Sequence, residues 1–343
     1  MPDLSLGIYL VFLILEKHMR RNFNSKLLSL ILCLLPTWAM AQTFPDRPIK
    51  VVVPFAPGNT LDNALRQVAE EFKKNTGQAI VVENKPGGSG IIAAQAVMQA
   101  PADGYTLLLS NTSMLTINPY TFSKLPYDPE KSYKPVTGFL GASLVLAVNA
   151  ANVPANNVKD FVTWAKAQSG GVSFASFTAG NSSHFAGVIM NQRAGLNMVH
   201  VPFNGTPPAV QNLVGGQVHA AFLPLLAVRP HVESGKVKVL AVSSPLRSPL
   251  MPNVGTFTEQ GLPDLEIYIW SGLSAPANTP DAVINKLHAE FTKVLKSQVI
   301  IDKWRENDFE PLPFTPAEFQ NFTRKDAKRW QEAVKISGFK AAE

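Results

Sequence analysis

Residues 51–62, VVVPFAPGNTLD, decide the fold of this chain. The first three are β-branched and apolar, a composition typical of a strand that is buried on both faces. From residue 61 to residue 72 the apolar side chains recur with helical spacing, and Gly77 follows as a stop signal. The stretch therefore predicts a strand, a tight Pro/Gly turn and a helix with Thr60 as its N-cap.

The N-terminus of this helix points away from the carboxyl end of the strand. Unpaired backbone N–H groups and the positive end of the helix dipole meet there, which favours an anionic oxygen. The loop contains neither G-K-[ST] nor G-x-G-x-x-G, so it is a poor candidate for a nucleotide site. Taken alone, the stretch also fits an ordinary βα turn with no ligand.

Residues 1–41 predict a signal peptide. They contain, in order, a basic segment, a short apolar run and an Ala-Met-Ala cleavage site that ends at Ala41. The apolar run, residues 27–35, is too short to span a bilayer. We expect the true start at Met19, because a second apolar run within residues 1–18 does not fit a single signal peptide. A retained signal anchor is the alternative.

Cysteine content and charge narrow the function classes. The only cysteine, Cys33, lies in the predicted signal peptide, so the mature chain has no disulfide, thiolate ligand or cysteine nucleophile. An exported chain of this size without disulfides fits the bacterial periplasm. Residues 1–41 carry four basic and two acidic side chains, so the net charge falls from +6 to +4 on cleavage. No Lys/Arg block alternates with aromatics, and nucleic-acid binding is not expected.

Short apolar runs alternate with helical patterns along the mature chain, which predicts an α/β protein with largely parallel sheets. The predicted strands are residues 51–53, 79–82, 105–109, 144–148, 172–177, 199–203, 218–223, 238–243 and 266–272. We expect two lobes, one formed by residues 42–145 and 266–343 and the other by residues 146–265. Two crossing segments would join them as a hinge beside a cleft.

The predicted ligand-binding residues follow the strands of both lobes, because loops at the carboxyl edge of an open α/β sheet bind ligands. The set is Phe55, Gly58, Asn59, Thr60, Ser89, Ser110, Asn111, Thr112, Thr178, Gly180, Asn181, Ser182, His184, Phe203, Asn204, Gly205, Thr206 and Leu223. Helices starting near Thr60, Ser182 and Thr206 would each offer about three or four unpaired N–H groups to a carboxylate.

Residues 43–340 carry seven motifs that, in this order, resemble one family. They are FPDRP (44–48), PFAPG (54–58), VENKPG (82–87), ADGYTLL (102–108), HVPFNG (200–205), GGQV (215–218) and APANTP (275–280). The chain resembles Bug-type extracytoplasmic solute receptors of tripartite tricarboxylate transporters. The resemblance implies a periplasmic binding protein of the Venus-flytrap kind, type II-like. It also implies a small carboxylate, held mainly by backbone amides and ordered water and delivered to a membrane permease.

Three positions depart from the family pattern. Asn59 stands where a second glycine is usual, His219 where many members have Asp, and Leu223 where Asp or Asn is common. We expect Leu223 to face the cleft, with Phe55 and Phe203 beside the same ligand. A buried ammonium without a partner would cost several kcal/mol, so an aromatic or aliphatic carboxylate is expected rather than an amino acid. The alternative places Leu223 in the core of its own lobe.

Other functions fit the sequence less well. A hydrolase using Ser183 and His184 is an alternative, but adjacent residues at a helix start are poorly placed for catalysis and there is no G-x-S-x-G. The histidines lack metal-ligand spacing. We therefore expect no enzyme activity, no metal and no cofactor, and a monomer in the periplasm. A receptor that acts on a membrane sensor, rather than on a permease, remains open.

Overall fold

The computed structural model describes residues 44–341, so the predicted signal peptide and the expected start at Met19 lie outside the described residues. The strands are β1 Ile49–Val53, β2 Ile80–Asn84, β3 Thr106–Asn111, β4 Tyr133–Asn149, β5 Ser173–Ser176, β6 Val199–Pro202, β7 Ala220–Pro224, β8 Val237–Val242, β9 Tyr268–Pro276 and β10 Phe309–Pro311. The helices are α1 Thr60–Thr76, α2 Ile91–Met98, α3 Asn118–Thr121, α4 Val158–Lys166, α5 Ser182–Ala194, α6 Thr206–Val214, α7 Leu225–Glu233, α8 Asp281–Leu295, α9 Gln298–Arg305 and α10 Pro316–Ser337. A π turn, Ser113–Ile117, precedes α3, and 3-10 turns occupy Gly88–Gly90 and Pro263–Leu265.

The long strand β4 belongs to two sheets. Its first part pairs with β9 and β10 in a sheet of order β2-β1-β3-β9-β4-β10, and its last part lies in a second sheet of order β6-β5-β7-β4-β8. The three strands at one end of each sheet are parallel, whereas β4, β8, β9 and β10 pair antiparallel. The parallel βα units were therefore predicted correctly, and the strands that join the two sheets were predicted without their antiparallel pairing.

Strand directions make the edges at which the parallel strands of the two sheets end face each other. Both β3 and β4 run antiparallel to β9, so β4 leaves the first sheet at the edge where β1, β2 and β3 end. In the second sheet β7 runs antiparallel to β4, so β4 enters at the edge where β5, β6 and β7 end. The loops after both sets of parallel strands consequently flank the same gap.

Ser243 ties together the two segments that cross between the sheets. Its hydroxyl accepts a hydrogen bond from the Leu144 amide at 2.8 Å and donates to the Ile267 carbonyl at 2.5 Å. The side chain is buried, so these partners replace water completely. The contact lies where β4 passes from one sheet to the other and where the chain returns toward β9.

Helix α10 packs on the hydrophobic cores of both sheets. Phe319 meets Trp270 edge to face, with ring centroids 5.5 Å apart, and Trp330 lies in the core of the second sheet. Between them the buried carboxylate of Asp326 accepts hydrogen bonds from the indoles of Trp270 and Trp330 and from the Thr116 hydroxyl. The division into lobes at residues 145 and 266 stays a prediction, because this helix contributes to both cores.

The start of α1 differs from the sequence analysis by one residue. Asn59 rather than Thr60 caps α1, with its side-chain oxygen accepting from the Leu61 amide at 3.0 Å. Asn and Thr are both good caps, so composition alone did not decide the register.

Candidate functional site

The β1–α1 loop is held in place by a buried carboxylate. Asp62, 1% exposed, accepts a hydrogen bond from the Gly58 amide at 2.9 Å. It also accepts from the Asn84 side chain at 2.9 Å and from Arg66 Nε and Nη2 at 3.0 and 3.1 Å. Asn84 in turn donates to the Phe55 carbonyl at 3.0 Å. The sequence analysis missed this role of Asp62, although an acid in the first helical turn with Arg four residues later is a recognisable pattern.

Asp62 stays ionised through these partners. Burial by itself would raise the pKa of its carboxyl group, but hydrogen bonds from Arg66, Asn84 and the Gly58 amide outweigh burial and lower that pKa. The negative charge belongs to the Arg66 pair rather than to the cleft. The loop therefore presents its backbone, with Gly58, Asn59 and Thr60 exposed.

The loops after β2 and β3 support each other. The Asn118 side chain donates to the Ser89 carbonyl at 3.0 Å, and Gly90 packs against the Met114 side chain. Asn111 accepts from the Met114 amide at 3.1 Å, so its side chain closes the turn after β3. Ser89 has a φ of +52° and is exposed at the tip. These contacts bring the first-lobe loops together as predicted from their position after the strands.

Two of the predicted ligand-binding residues near the end of β3 already form hydrogen bonds with β9. The Ser110 hydroxyl donates to the Gly272 carbonyl at 3.0 Å. Thr112 exchanges hydrogen bonds with the backbone of Trp270, and both predicted side chains are buried. Their hydroxyls extend the β3–β9 pairing, which argues against direct ligand contact, and their role in binding stays a prediction.

In the second lobe, the loops after β5 and β6 are joined through their backbones. The Gly205 amide donates to the Phe177 carbonyl at 2.9 Å. Thr178 and Asn204 are exposed at the tips, and Phe203 is half-buried against the core. Asn181 caps α5 by accepting from the His184 amide at 3.1 Å. The predicted residues of these two loops therefore lie next to each other.

The helix starts offer fewer backbone donors than expected. Pro207 and Pro208 follow Thr206 at the start of α6, and a proline has no N–H. The Gly180 and Gly205 amides are already bonded within the second lobe. In the described part of the chain, the amides of Thr60, Ser182, Ser183 and Thr206 have no hydrogen-bond acceptor. Thr60 is exposed, whereas Ser182 and Ser183 are buried. These helix starts are candidate anion sites.

Leu223 does not face the cleft. It is 0% exposed and packs among buried residues of β4, α6 and α7 in the core of the second lobe. The expectation that it contacts ligand is therefore wrong, and the alternative, a core position, is correct. The end of a strand can point to either face of the sheet, and its position in the sequence does not decide which.

Ser183 and His184 do not form a nucleophile–base pair. The buried Ser183 hydroxyl donates to the Phe222 carbonyl at 2.6 Å, while His184 Nδ1 accepts from the Gly180 amide at 3.2 Å. Each group thus has a backbone partner of its own. Among residues 44–341 no cluster of three or more His, Cys, Asp or Glu could hold a metal ion.

Cationic side chains near the first-lobe loops are engaged in ion pairs. Lys85, in the β2–α2 loop, lies 2.8 Å from Glu83, which also pairs with Lys50 at 3.1 Å. These hydrogen bonds lower the pKa of Glu83.

A concavity with a volume of about 610 Å³ lies elsewhere, lined by Lys134, Asp281 and Gln320 near the start of β4. That start is at the opposite edge of the sheet from the candidate site.

Within residues 44–341, the helices are too short or too polar for any of them to cross a bilayer. Residues 64–339 match the family model described as "Tripartite tricarboxylate transporter family receptor". The match covers most of the chain, including all the second-lobe loops and the loops after β2 and β3.

Three solved structures are similar to this one over nearly their whole length. The periplasmic binding protein BugD is 31% identical, with a TM-score of 0.74 over 87% of this chain and 99% of its own. An R. palustris protein with adipate is 29% identical, with a TM-score of 0.77 over 86% and 98%. MatC from Rhodopseudomonas palustris with bound malate is 29% identical, with a TM-score of 0.73 over 85% and 100%. The predicted two-lobed fold of a periplasmic binding protein is confirmed.

Proposed function

This chain belongs to the tripartite tricarboxylate transporter family of receptors, of the Bug type, and we propose that it binds a small carboxylate between its lobes and delivers it to a membrane permease. The family consists of solute-binding receptors and not of enzymes. A receptor of this kind works by reversible capture, so its site needs donors that hold an anion and no group that attacks it.

The observation that carries the proposal is the pair of facing loop sets with unpaired amides. Thr60 on one side and Ser182 on the other start helices whose N–H groups have no acceptor in the part of the chain described. Thr60 is exposed, and Ser182 is 2% exposed. Each start adds the positive end of a helix dipole. One carboxylate oxygen can therefore be bound from each lobe without a cationic side chain.

The ligands of the similar structures support a carboxylate. Adipate and malate are both acyclic and carry two carboxylates, and they accompany proteins that are 29% identical to this one. The core position of Leu223 removes one reason for an apolar ligand body, and only the half-buried Phe55 and Phe203 remain as apolar contacts. We therefore propose an aliphatic mono- or dicarboxylate, with adipate and malate as the first compounds to test.

The remaining features of the proposal follow from the family and the sequence. The family implies a periplasmic receptor with a transporter as partner, and we propose that the chain is exported with cleavage before Gln42 and acts as a monomer. A receptor that acts on a membrane sensor would bind ligand in the same way. Deletion of the permease separates the two, because only a permease-dependent receptor then loses uptake.

A proline substitution tests the backbone site directly. Thr60 is the first residue of α1, where proline is well tolerated, and the preceding Asn59 has the extended ψ of 156° that proline requires. Thr60→Pro should therefore fold normally and lose one donor to the carboxylate. The matched control is Gln298→Pro at the first position of α9, where Ser297 is likewise extended with ψ 141°.

Binding is measured by calorimetry and thermal shift with adipate, malate and an amino acid series. A ligand at 100 times its dissociation constant should stabilise the protein by about 2.7 kcal/mol. We expect Thr60→Pro to weaken carboxylate binding about tenfold or more, the loss of one hydrogen bond to a charged group, and Gln298→Pro to leave it unchanged. Equal binding by both variants would refute the backbone site, and consumption of the ligand would refute a receptor.

A further inference from the structure

Two histidines from different elements of the second lobe stack face to face beside the β5–α5 loop. The rings of His184, in the first turn of α5, and His200, on β6, have centroids 3.8 Å apart and planes inclined by 12°. His184 is 7% exposed, and the sequence analysis placed it among ligand contacts. His200 carried no expectation at all. The stack lies against Phe174 and Phe185, so it is part of the wall behind the loop rather than its surface.

Each ring fixes one end of the loop. The Gly180 amide donates to His184 Nδ1 at 3.2 Å. At the other end, Ser176 Oγ lies 2.6 Å from His200 Nε2 and donates its own proton to the Thr178 carbonyl at 2.9 Å. Since the hydroxyl proton is used on Thr178, His200 Nε2 must carry the proton of that contact.

These contacts require one tautomer of each neutral ring. His184 must be bare at Nδ1 and protonated at Nε2, because an N–H at Nδ1 would leave the Gly180 amide without an acceptor. Burial lowers the pKa of His184 to about 4, and burial together with the neighbouring His184 lowers that of His200 to about 4. Both rings are therefore neutral at neutral pH, and for His184 the hydrogen bond from the Gly180 amide also requires a neutral ring.

The C-terminal tail closes the other side of the loop. The Phe339 ring meets His184 edge to face at 5.4 Å. Gly180 has a φ of +73°, and a Cβ on it would lie only 2.4 Å from the Phe339 ring. The loop backbone is thus confined between a histidine that binds its amide and a phenylalanine that packs on its α-carbon.

We propose that His184 and His200 are positioning residues that set the conformation of loop 177–181, and through it the orientation of the α5 N-terminus that binds the ligand carboxylate. The proposal rests on the proposed function for its ligand. The rings themselves do not touch ligand: they hold the backbone from which Ser182 and Ser183 present their amides.

His219 provides a matched control in the same lobe. Its Nδ1 accepts from the Ser173 amide at 3.1 Å, as His184 Nδ1 accepts from the Gly180 amide, and it also lies 3.0 Å from the Ser173 hydroxyl. Ser173 begins β5, however, so His219 lies at the edge of the sheet opposite to the loop. A His→Phe change at either position keeps an aromatic ring and removes the ring nitrogen that accepts a hydrogen bond from a backbone amide.

The first measurement needs no ligand. Hydrogen exchange of the Gly180 amide should become about fivefold faster in His184→Phe, the loss of one hydrogen bond, and stay unchanged in His219→Phe. His184→Asn, whose Oδ1 can take the place of Nδ1, should restore part of the protection. Unchanged exchange in His184→Phe would overturn the proposal. Should that variant fail to fold, ¹⁵N NMR of the unmutated protein decides, because a protonated Nδ1 on His184 would overturn it equally.

The second measurement is calorimetry with adipate and malate. We expect His184→Phe to bind about fivefold more weakly than the unmutated protein, and His219→Phe to bind equally well. If the unmutated protein and both variants bind with equal affinity although the Gly180 amide exchanges faster in His184→Phe, the conformation of the loop does not affect ligand binding and the proposal is overturned. If the unmutated protein binds neither compound, the proposed ligand class fails, while the exchange and NMR results still decide whether the histidines position the loop.

Discussion

Replacing Asp62 by alanine should loosen the β1–α1 loop and lower the stability of the whole protein. The substitution removes the acceptor of four hydrogen bonds, from Gly58 N, Asn84 Nδ2 and two nitrogens of Arg66. The carboxylate is 1% exposed, so water does not reach its position in the folded protein. The loop that it holds contains the proposed donor Thr60.

The magnitude follows from the partners. Arg66 is 49% exposed and can turn to solvent, so its two hydrogen bonds contribute little. The Gly58 and Asn84 hydrogen bonds to a buried charge are worth about 1.5 kcal/mol each, which gives a loss of about 3 kcal/mol. For a folded unit of about 300 residues, that loss corresponds to a fall of about 5 °C in melting temperature.

Thermal unfolding and calorimetry with adipate measure the two effects. The control is Asp264→Ala, which removes an exposed pair with Arg193 and should change the melting temperature by less than about 2 °C. We expect Asp62→Ala alone to weaken binding. If the two variants melt and bind alike, Asp62 does not organise the loop.

The contribution of Asp62 to the stability of the protein should depend on pH. Because the pKa of Asp62 is lowered on folding, its contribution is present above the ordinary carboxyl pKa and is lost as the pH falls through the folded value. The difference in melting temperature between the unmutated protein and Asp62→Ala should therefore be constant from pH 7 to about pH 5 and shrink below about pH 4. A difference that grows on acidification would contradict the hydrogen-bond account.

Three further predictions concern the core and the hinge. Leu223→Asp should prevent folding or lower the melting temperature by more than about 7 °C, because it buries a charge. The control Leu223→Met should lower the free energy of unfolding by less than about 1.5 kcal/mol. Normal melting of Leu223→Asp by circular dichroism would show that Leu223 faces the cleft after all. Burial raises the pKa of Asp326 despite its hydrogen bonds from Trp270 and Trp330. The unmutated protein should therefore gain stability relative to Asp326→Asn as the pH falls from 7 to 4. Thermal scans that show the reverse would refute the raised pKa. Ser243→Ala should lower the free energy of unfolding in urea by about 2 kcal/mol, since the Leu144 amide and Ile267 carbonyl lose their shared partner, with exposed Ser169→Ala as the unaffected control.

Local sequence was sufficient to predict the βα units and the position of their loops. Residues 51–53 are β-branched, Gly77 ends the helix in a left-handed conformation, and the Thr315 capping box forms as its spacing predicts. These features depend on neighbours within about four residues, and the chain carries that information directly. The seven ordered motifs extended the prediction to the family, and the match to the receptor family model agrees with it.

The sequence did not show which side chains at the strand ends are free to bind ligand. From the sequence, Ser110 and Thr112 were predicted to have hydroxyls in the cleft. In the structure these hydroxyls form hydrogen bonds with β9, which follows more than 150 residues later in the chain. Leu223 looks like a cleft residue until β4 and α6 bury it. Burial and pairing between distant segments are properties of the packed structure, and no local pattern reports them.

The positioning groups were decided only by tertiary structure. Asp62 meets Asn84 because β1 and β2 are adjacent, and His184 meets His200 because α5 packs beside β6. Composition determined that the loops are rich in glycine and small polar residues, whereas the pairing of Lys85 with Glu83 was seen only in the structure. Which amides of those loops stay unbonded depends on acceptors that the fold brings from elsewhere in the chain, because a backbone N–H is available to a ligand only where no other part of the protein has already bound it.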